Sequence, residues 1–169
     1  MIYSIGHSTM ETPELLAILE GYRIAKLIDV RSHPRSRYAP QFNKGSLSLS
    51  LKRAGIEYIW EGKYLGGLDS TSINSPEFIF AMDGVLKHSK RSTVAIMCSE
   101  KNPAQCHRAN KLSAWIHRNT DIEVFHIVRG DLISGRQFEM DKGLAWLWPE
   151  FRGEKHEGGN LISQAELFD

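Results

Sequence analysis

The sequence predicts an α/β protein: a single three-layer α/β/α domain around a mainly parallel sheet of about five strands. The first observation behind this prediction is that short apolar strand patterns alternate with amphipathic helix patterns along the chain. The second is the apolar run from Val94 to Met97, which is typical of a strand buried on both faces. The third is the length of 169 residues, which suits one domain with a substantial core.

The bulk composition is that of an ordinary globular protein, with 41% hydrophobic and 24% charged residues. A net charge of +1 gives no global reason to expect nucleic-acid binding. The 2 cysteines form no spaced disulfide framework, and the sequence has no run of about 18 apolar residues that would span a bilayer. The chain opens directly on a strand pattern and shows no signal peptide, so we expect a cytoplasmic protein without membrane contact.

The first part of the chain predicts a strand, a helix and a second strand, at residues 2–5, from residue 12 and at residues 26–31. Thr12 is expected to cap the helix, with Pro13 at its first position. A periodic apolar face supports this helix, formed by Leu15, Ile18, Leu19 and Tyr22.

Residues 32–43 form a long basic loop with two prolines and two aromatic residues. Loops of this length in compact domains are commonly functional, so we expect an ordered functional loop. Its cationic, aromatic and amide side chains suit phosphate and base binding. The candidate substrate-binding residues here are Arg35, Arg37, Tyr38, Gln41 and Asn43. The alternative is a solvated basic loop that Pro34 and Pro40 hold in place.

The middle of the chain predicts a helix at residues 46–54, a strand at residues 56–60 and a loop at residues 65–74. Ser75 and Pro76 then start a capped helix. The buried side chains expected of this helix are Phe78, Met82, Val85 and Leu86.

A strand at residues 93–98 leads into a helix that Asn102 caps, that has Pro103 at its first position and that runs to about residue 119. Residues 106–108 are expected in the first turn of that helix, near the positive end of its dipole. Residues 122–128 predict the last strand.

In a Rossmann-like parallel sheet, ligands bind at the carboxyl ends of the strands. This rule places His7, Asp29, Arg31 and Cys98 on one rim, with the turn at residues 106–108. His7 is expected to orient the substrate, and Asp29 and Arg31 to contact it.

Five residues on this rim are candidate catalytic residues: Cys98, Glu100, Cys106, His107 and Arg108. Cys98 is either a nucleophile or a buried structural cysteine, and Glu100 is either a general acid/base or a surface carboxylate. Arg108 is expected to clamp an anion, with a salt bridge to Glu100 or Asp29 as the alternative.

Cys106 and His107 raise the question of a metal, with Cys98 and His7 as further ligands. The Cys-x₇-Cys-His spacing is not a standard zinc pattern, because zinc sites commonly use ligand pairs two to four residues apart. The sequence therefore predicts no metal and no cofactor.

Residues 1–152 are predicted as the α/β domain, and residues 153–169 as a polar, glycine-containing tail. At its end, Gln164, Leu167 and Phe168 resemble the short motif by which many bacterial DNA-processing proteins bind the sliding clamp. This resemblance implies a clamp as partner, with Leu167 and Phe168 as apolar anchors. The alternative is that these two residues fold back on the domain.

Several blocks of residues along the chain together match the motifs of one family: Ser4-Ile5-Gly6-His7-Ser8, Asp29-Val30-Arg31-Ser32 with Pro34, Ser36 and Arg37, Pro40-Gln41-Phe42-Asn43, Gly55-Ile56 with Tyr58, Leu65-Gly66-Gly67, Cys98 with Glu100, Cys106-His107-Arg108, and Val124 with His126-Ile127. Through these blocks the chain resembles the family catalogued as domain of unknown function 488, over about residues 2–130. The resemblance implies an α/β fold and a shared rim, without an established reaction.

A weaker resemblance is to rhodanese-like sulfurtransferases, through Asp29-Val30-Arg31 and the strand-end Cys98. That resemblance implies a catalytic cysteine followed by a loop that wraps an anion. Residues 99–103 depart from it, because they lack glycine and contain the acidic Glu100.

Together these features predict an enzyme that acts on nucleic acid or nucleotides, in DNA repair or modification. Two alternatives stay open at this point. One is a rhodanese-like sulfurtransferase or cysteine-dependent phosphatase that uses Cys98. The other is a non-catalytic binding module that its tail tethers to a partner.

Overall fold

The computed structural model describes residues 1–68, 71–128 and 131–142. Strands and helices alternate along most of this chain, as the sequence predicts. The strands are Ile2–Gly6 (β1), Lys26–Asp29 (β2), Glu57–Trp60 (β3), Val94–Cys98 (β4), Val124–Val128 (β5) and Asp131–Ser134 (β6). The α-helices are Thr12–Gly21 (α1), Lys44–Arg53 (α2), Gly62–Leu65 (α3), Pro76–Arg91 (α4), Ala114–Asn119 (α5) and Gly135–Lys142 (α6).

The described strands form one six-stranded sheet in the order β3-β2-β4-β1-β5-β6. The pairs β3-β2, β2-β4, β4-β1 and β1-β5 are parallel, and β6 runs antiparallel to β5. Every residue of β1 and of β4 is buried, which fits their uninterrupted apolar patterns and central places. The predicted α/β fold with a mainly parallel sheet is confirmed.

Helices cover the two faces of the sheet with separate apolar cores. On one face, Leu15 and Leu19 of α1 and Leu47 and Leu51 of α2 pack with Leu27 and other strand residues. On the other face, α4 packs through Phe78, Met82 and Val85. The helical segment formed by residues 108–113 and α5 packs there through Leu112 and Ile116. These are the helix faces that the apolar periodicity predicts, and they give the three-layer arrangement.

The connections of the sheet make the carboxyl end of β4 a switch point. The chain leaves β1 and β2 towards α1 and α2, on one face, but it leaves β4 towards α5, on the other face. Because β4 lies between β1 and β2, the neighbouring connections diverge at its carboxyl end. Cys98, the last residue of β4, is therefore at the position where such sheets bind ligands.

Two helix starts test the predicted caps. Ser75 caps α4, because its side chain accepts a hydrogen bond of 3.2 Å from the backbone N–H of Phe78. The prediction that Thr12 caps α1 is wrong: Thr12 is the first helical residue and Pro13 the second, and Glu11 is the capping position. Proline is tolerated at either position, since the first N–H groups of a helix have no helical partner.

The predicted helix from Pro103 to residue 119 is interrupted, which is a correction. Pro103–Gln105 make only one 3₁₀ turn, in which Asn102 is the expected cap through its Oδ1 and the N–H of Ala104. Cys106 is extended, with φ −135° and ψ 134°, and the chain becomes helical again in the π-helix Arg108–Ser113. Cys106, His107 and Arg108 thus do not share a first helical turn.

The sequence does not predict β6 and α6. The strand β6 is short and mostly exposed, so it lacks the alternating apolar pattern by which a strand is recognised. The boundary expected at residue 152 and the tail of residues 153–169 lie outside the described residues. Within the described ranges, no helix is both long and apolar enough to cross a membrane.

Candidate functional site

The ends of β1, β2 and β4 meet around Cys98. Gly6 pairs with Cys98, and beyond the strands the N–H of His7 donates to the Cys98 carbonyl at 3.0 Å. The N–H of Val30 donates to the Met97 carbonyl at 3.0 Å on the other side. A Cβ at Gly6 would overlap the Glu100 carbonyl, so only glycine allows this close approach. The rim that the sequence predicts is thus assembled from three adjacent strand ends.

Two thiols and an imidazole form the centre of the site. The Nδ1 atom of His107 lies 3.9 Å from the sulfur of Cys98 and 3.8 Å from that of Cys106. The other ring nitrogen, Nε2, lies 3.2 Å from the Val30 carbonyl oxygen. A carbonyl only accepts, so Nε2 carries a proton and donates it, and Nδ1 faces both sulfurs. The extended conformation of Cys106 brings these groups together.

The two thiols have opposite pKa shifts. A hydrogen bond from Cys106, with further contributions from His107 and the Glu100 backbone, lowers the pKa of Cys98 far below that of an ordinary thiol, against the effect of burial. Burial and the neighbouring Cys98 raise the pKa of Cys106. Cys98 is therefore the thiolate of the pair and Cys106 the thiol, which is the arrangement of a reactive cysteine with a proton-donating neighbour.

Asp29 and Arg31 form a buried ion pair beside Cys98. Arg31 donates from Nε to Asp29 Oδ1 at 2.9 Å and from Nη2 to Asp29 Oδ2 at 2.6 Å. Its Nη2 also donates to the Phe42 carbonyl at 2.8 Å, and its Nη1 to Nε2 of His7 at 3.1 Å. Burial opposes the charge of Arg31, but the hydrogen bonds and charge of Asp29 raise its pKa. Arg31 is thus engaged mainly with protein groups.

His7 is a buried neutral histidine. Its Nδ1 donates to the Ser8 carbonyl at 2.9 Å, and its ring lies against Phe42 with 4.3 Å between centroids. Burial, followed by the charge of Arg31, lowers the pKa of His7 to about 4. Because both ring nitrogens bind protein groups, His7 orients Arg31, and the expectation that it orients the substrate directly is corrected.

Two aromatic residues at this site have no role in the sequence analysis. The hydroxyl of Tyr58 donates to Asp29 Oδ2 at 2.7 Å, and the indole N–H of Trp60 donates to the Arg31 carbonyl at 3.0 Å. Burial and Asp29 raise the pKa of Tyr58, which keeps the phenol protonated as a donor. The alternating pattern of β3 predicts a strand. It does not predict that Tyr58 and Trp60 bind Asp29 and Arg31, which lie on β2 and just after it.

Arg108 does not face the rim, and its prediction as an anion clamp is wrong. Its side chain is fully buried and donates to the carbonyl oxygens of Glu100 at 2.5 Å and Lys101 at 3.1 Å. The alternative of a salt bridge to Glu100 or Asp29 is also wrong, because the backbone of Glu100 and Lys101 is what Arg108 binds. Arg108 therefore fixes the loop that follows Cys98.

The side chain of Glu100 is half-buried and engaged within the same loop. Its Oε1 accepts a hydrogen bond of 2.8 Å from the N–H of Asn102. This contact leaves the second carboxylate oxygen for other partners. A role for Glu100 as a general acid or base stays a prediction.

The loop after Cys98 uses many of its own amide groups. The N–H groups of Asn102, Ala104, Gln105 and Cys106 already donate to acceptors of residues 100–103. A loop that wraps an anion must direct a series of free N–H groups at it. This arrangement differs from the anion-wrapping loop that a rhodanese-like enzyme or a cysteine-dependent phosphatase would use.

The basic loop at residues 32–43 is ordered by internal hydrogen bonds. Asn43 Oδ1 accepts from the Ser36 N–H at 2.7 Å, and Gln41 Nε2 donates to the Met10 carbonyl at 3.2 Å. These two amide side chains thus support the loop. Arg35 and Arg37 are exposed, and Tyr38 is 97% exposed. Of the five candidates on this loop, the two arginines and the tyrosine are the ones that the structure presents to solvent.

Gln164, Leu167 and Phe168 lie outside the described residues. Sliding-clamp binding through these residues therefore stays a prediction of the sequence.

The comparisons with known proteins give a match to one family model and no function. The family model described as "Domain of unknown function DUF488" matches residues 12–76, which include Asp29, Arg31 and the basic loop. No curated protein and no solved structure shows a significant match to the chain. The matched segment is shorter than the stretch of about residues 2–130 over which the motifs suggest the resemblance. The resemblance to this family is confirmed over residues 12–76, the segment that the family model matches.

Proposed function

We propose that this protein is an enzyme that acts on nucleic acid or nucleotides, with its chemistry at Cys98, Cys106 and His107. One observation carries the proposal: the reactive cluster and the exposed basic loop lie on the same rim of the sheet. Phe42, near the end of the loop, contacts both His7 and Arg31, and His7 is hydrogen bonded to the backbone of Cys98.

The exposed side chains of the loop suit a substrate with phosphates and bases. Arg35 and Arg37 provide cations for phosphate, and Tyr38 provides a ring on which a base can stack. Removing the apolar surface of a ring from water is favourable. Because Tyr38 is 97% exposed, stacking of a flat partner on its ring would contribute favourable binding free energy. The buried Arg31 stabilises the base of the loop and leaves substrate binding to these three residues.

The cluster has the groups that proton transfer and nucleophilic attack require. Hydrogen bonds from Cys106 and His107 favour the thiolate form of Cys98. His107 can exchange a proton through Nδ1 with either sulfur, while the Val30 carbonyl holds Nε2. A sulfurtransferase or phosphatase would also need an anion-wrapping loop, and a non-catalytic module would need no such cluster, so we prefer the nucleic-acid enzyme. The two free thiols suit a reducing cytoplasm.

Binding of a fluorescent single-stranded oligonucleotide, followed by anisotropy, tests the substrate class. Relative to the wild type, the double variant Arg35→Ala/Arg37→Ala is expected to bind at least tenfold more weakly. The plot of log affinity against log salt should also become shallower, its slope smaller in magnitude by about 1.4, because two phosphate contacts are lost. Arg53→Ala is the matched control: Arg53 is exposed at the end of α2, which leads into the amino end of β3, at the opposite end of the strands from the rim. Equal affinities of wild type and double variant would contradict the proposal.

The catalytic part is tested by mass analysis of oligonucleotides and nucleotides after incubation. Cys98→Ser is expected to retain binding and to lose any conversion that the wild type performs. Retained conversion in this variant would mean that the cluster is not the reactive centre.

A further inference from the structure

Cys98, Cys106 and His107 also form a group of potential metal ligands. Each offers one ligand atom, and the three atoms all lie within 4.8 Å of one another. Thiolate and imidazole are the ligands that Zn²⁺ prefers in proteins. The sequence has no standard zinc spacing here, because Cys106 reaches Cys98 only through the break between the 3₁₀ turn and the π-helix.

The distances are close to those of a tetrahedral site. With Zn–S of about 2.3 Å and Zn–N of about 2 Å, a sulfur and a nitrogen ligand on a tetrahedron are about 3.5 Å apart. The two sulfur-to-Nδ1 distances here are 3.9 and 3.8 Å. A contraction of a few tenths of an ångström would bring each sulfur and Nδ1 to this spacing. The two sulfurs, which lie within 4.8 Å of each other, would have to approach to about 3.8 Å.

The orientation of His107 is that of a metal ligand. Histidines that bind metals commonly donate their second ring N–H to a carbonyl or carboxylate, which directs the other nitrogen's lone pair to the ion. His107 has this arrangement through Nε2 and the Val30 carbonyl at 3.2 Å. Gly67 lies against the ring, where a Cβ would be only 2.6 Å from Nδ1. A redox pair of cysteines would need neither the third ligand nor its fixed orientation.

We propose that Cys98, Cys106 and His107 bind one Zn²⁺-class ion. Three protein ligands leave one position of a tetrahedral ion for water or substrate, which is the pattern of catalytic rather than structural zinc. Cys98 and Cys106 are 7% and 3% exposed, so the ion would be largely shielded, while the half-buried His107 leaves one side open. A part for this ion in turnover rests on the proposed function, with Cys98, Cys106 and His107 then acting as its ligands and not as nucleophile and proton carrier. Binding of the ion does not rest on that function.

Cobalt absorption spectra of the full-length protein test this site directly. Reduced protein treated with a chelator is titrated with Co²⁺, whose thiolate complexes have a near-ultraviolet charge-transfer band. Because the chain has 2 cysteines, such a band can come only from Cys98 and Cys106. We expect the band to saturate at one Co²⁺ per chain, to be accompanied by the strong visible bands of a four-coordinate ion, and to disappear when Zn²⁺ is added.

Variants identify the ligands. Cys106→Ser is expected to halve the charge-transfer absorbance, and both Cys106→Ser and His107→Ala to weaken Co²⁺ binding by at least tenfold. His33→Ala is the matched control, because His33 is an exposed histidine of the basic loop and should leave the spectrum unchanged.

Absence of the charge-transfer band in the reduced wild-type protein would overturn the proposal, without recourse to variants that might lose their fold. A Co²⁺ spectrum and affinity that His107→Ala leaves unchanged would overturn the three-ligand site. Oligonucleotide binding by metal-free protein separates the two proposals: it is expected to persist if only the metal site fails. A wild-type cobalt spectrum without oligonucleotide binding would contradict the proposed function alone.

Discussion

At the scale of single residues, the site depends on close approach of backbone to side chain. Gly6 allows contact with the Glu100 carbonyl, Gly62 with the Arg31 carbonyl, and Gly67 with the ring of His107. None of these three positions has a positive φ among the described residues. Glycine is therefore required at these positions because there is no room for a Cβ, and not because of the backbone conformation.

Gly67→Ala is expected to destabilise the protein by about 1–3 kcal/mol, the usual cost of adding a methyl group where there is no room. The added Cβ would lie 2.6 Å from Nδ1 of His107, whose ring the Val30 carbonyl holds in place. The free energy of unfolding in urea is the measurement. Gly45→Ala is the matched control, because Gly45 lies in α2 with open space around it. Alanine there should be neutral or stabilising by up to about 1 kcal/mol. Similar values for both variants would contradict tight packing at Gly67.

Several residues of the site can be predicted from the sequence, but their hydrogen-bond partners cannot. Cys98 could be predicted at a strand end because its strand is strongly apolar, and the parallel-sheet rule then placed His7 and Arg31 beside it. The hydrogen bonds of Tyr58, Trp60 and Arg108 could not be predicted, because they join residues on different elements. Charge suggested that Arg108 binds an anion, but only burial distinguishes a surface cation from one that binds backbone carbonyls.

At the scale of elements, the segment from Cys98 to Arg108 determines the site. A loop, one 3₁₀ turn, an extended residue and a π-helix follow one another there. Asn102 and Pro103 are typical of a helix start, and a helix does begin there, but it ends after a single turn. Nothing local in the sequence marks that ending. The carbonyl of Cys106 accepts from the N–H groups of Ala109 and Asn110, and this begins the next helix.

Arg108→Met is expected to lower the free energy of unfolding by about 2 kcal/mol. The variant loses two hydrogen bonds from a charged donor to the loop carbonyls. It also avoids the cost of burying the guanidinium, but this offsets only part of the lost free energy. Amide hydrogen exchange at residues 99–101 should also become faster than in the wild type. Arg35→Met, at an exposed position of the basic loop, provides the comparison and should change stability by less than about 0.5 kcal/mol. If Arg108→Met were as mild as Arg35→Met, Arg108 would not be the anchor of the loop.

At the scale of the whole molecule, the alternation of strands and helices made the fold class predictable, but not the order of the strands. Sequence periodicity reports which face of an element is buried, whereas the order β3-β2-β4-β1-β5-β6 depends on pairings between distant segments. The switch point at β4 follows from that order. It could be located only once the helices were assigned to their faces through their packed side chains.

Two histidines buried on different parts of the sheet should make the protein sensitive to acid. Burial, helped by Arg31, lowers the pKa of His7 to about 4, and burial, helped by Arg108, lowers that of His126 to about 3. Because 6.5 is the ordinary value, the unfolded chain takes up protons first as the pH falls. The stability from each neutral histidine is therefore complete above about pH 6.5 and is lost progressively towards the lowered pKa.

His7→Gln tests this effect at one of the two positions. Between about pH 6 and pH 4.5, the free energy of unfolding of the wild type should decrease more steeply than that of the variant, by up to about 1.4 kcal/mol per pH unit. His33→Gln, at an exposed histidine, should leave the wild-type slope unchanged. Urea unfolding at a series of pH values measures the three slopes. Parallel curves for wild type and His7→Gln would show that His7 is not held neutral. The contact of His7 with Arg31 would then join two positive charges, and its place in the site would have to be revised.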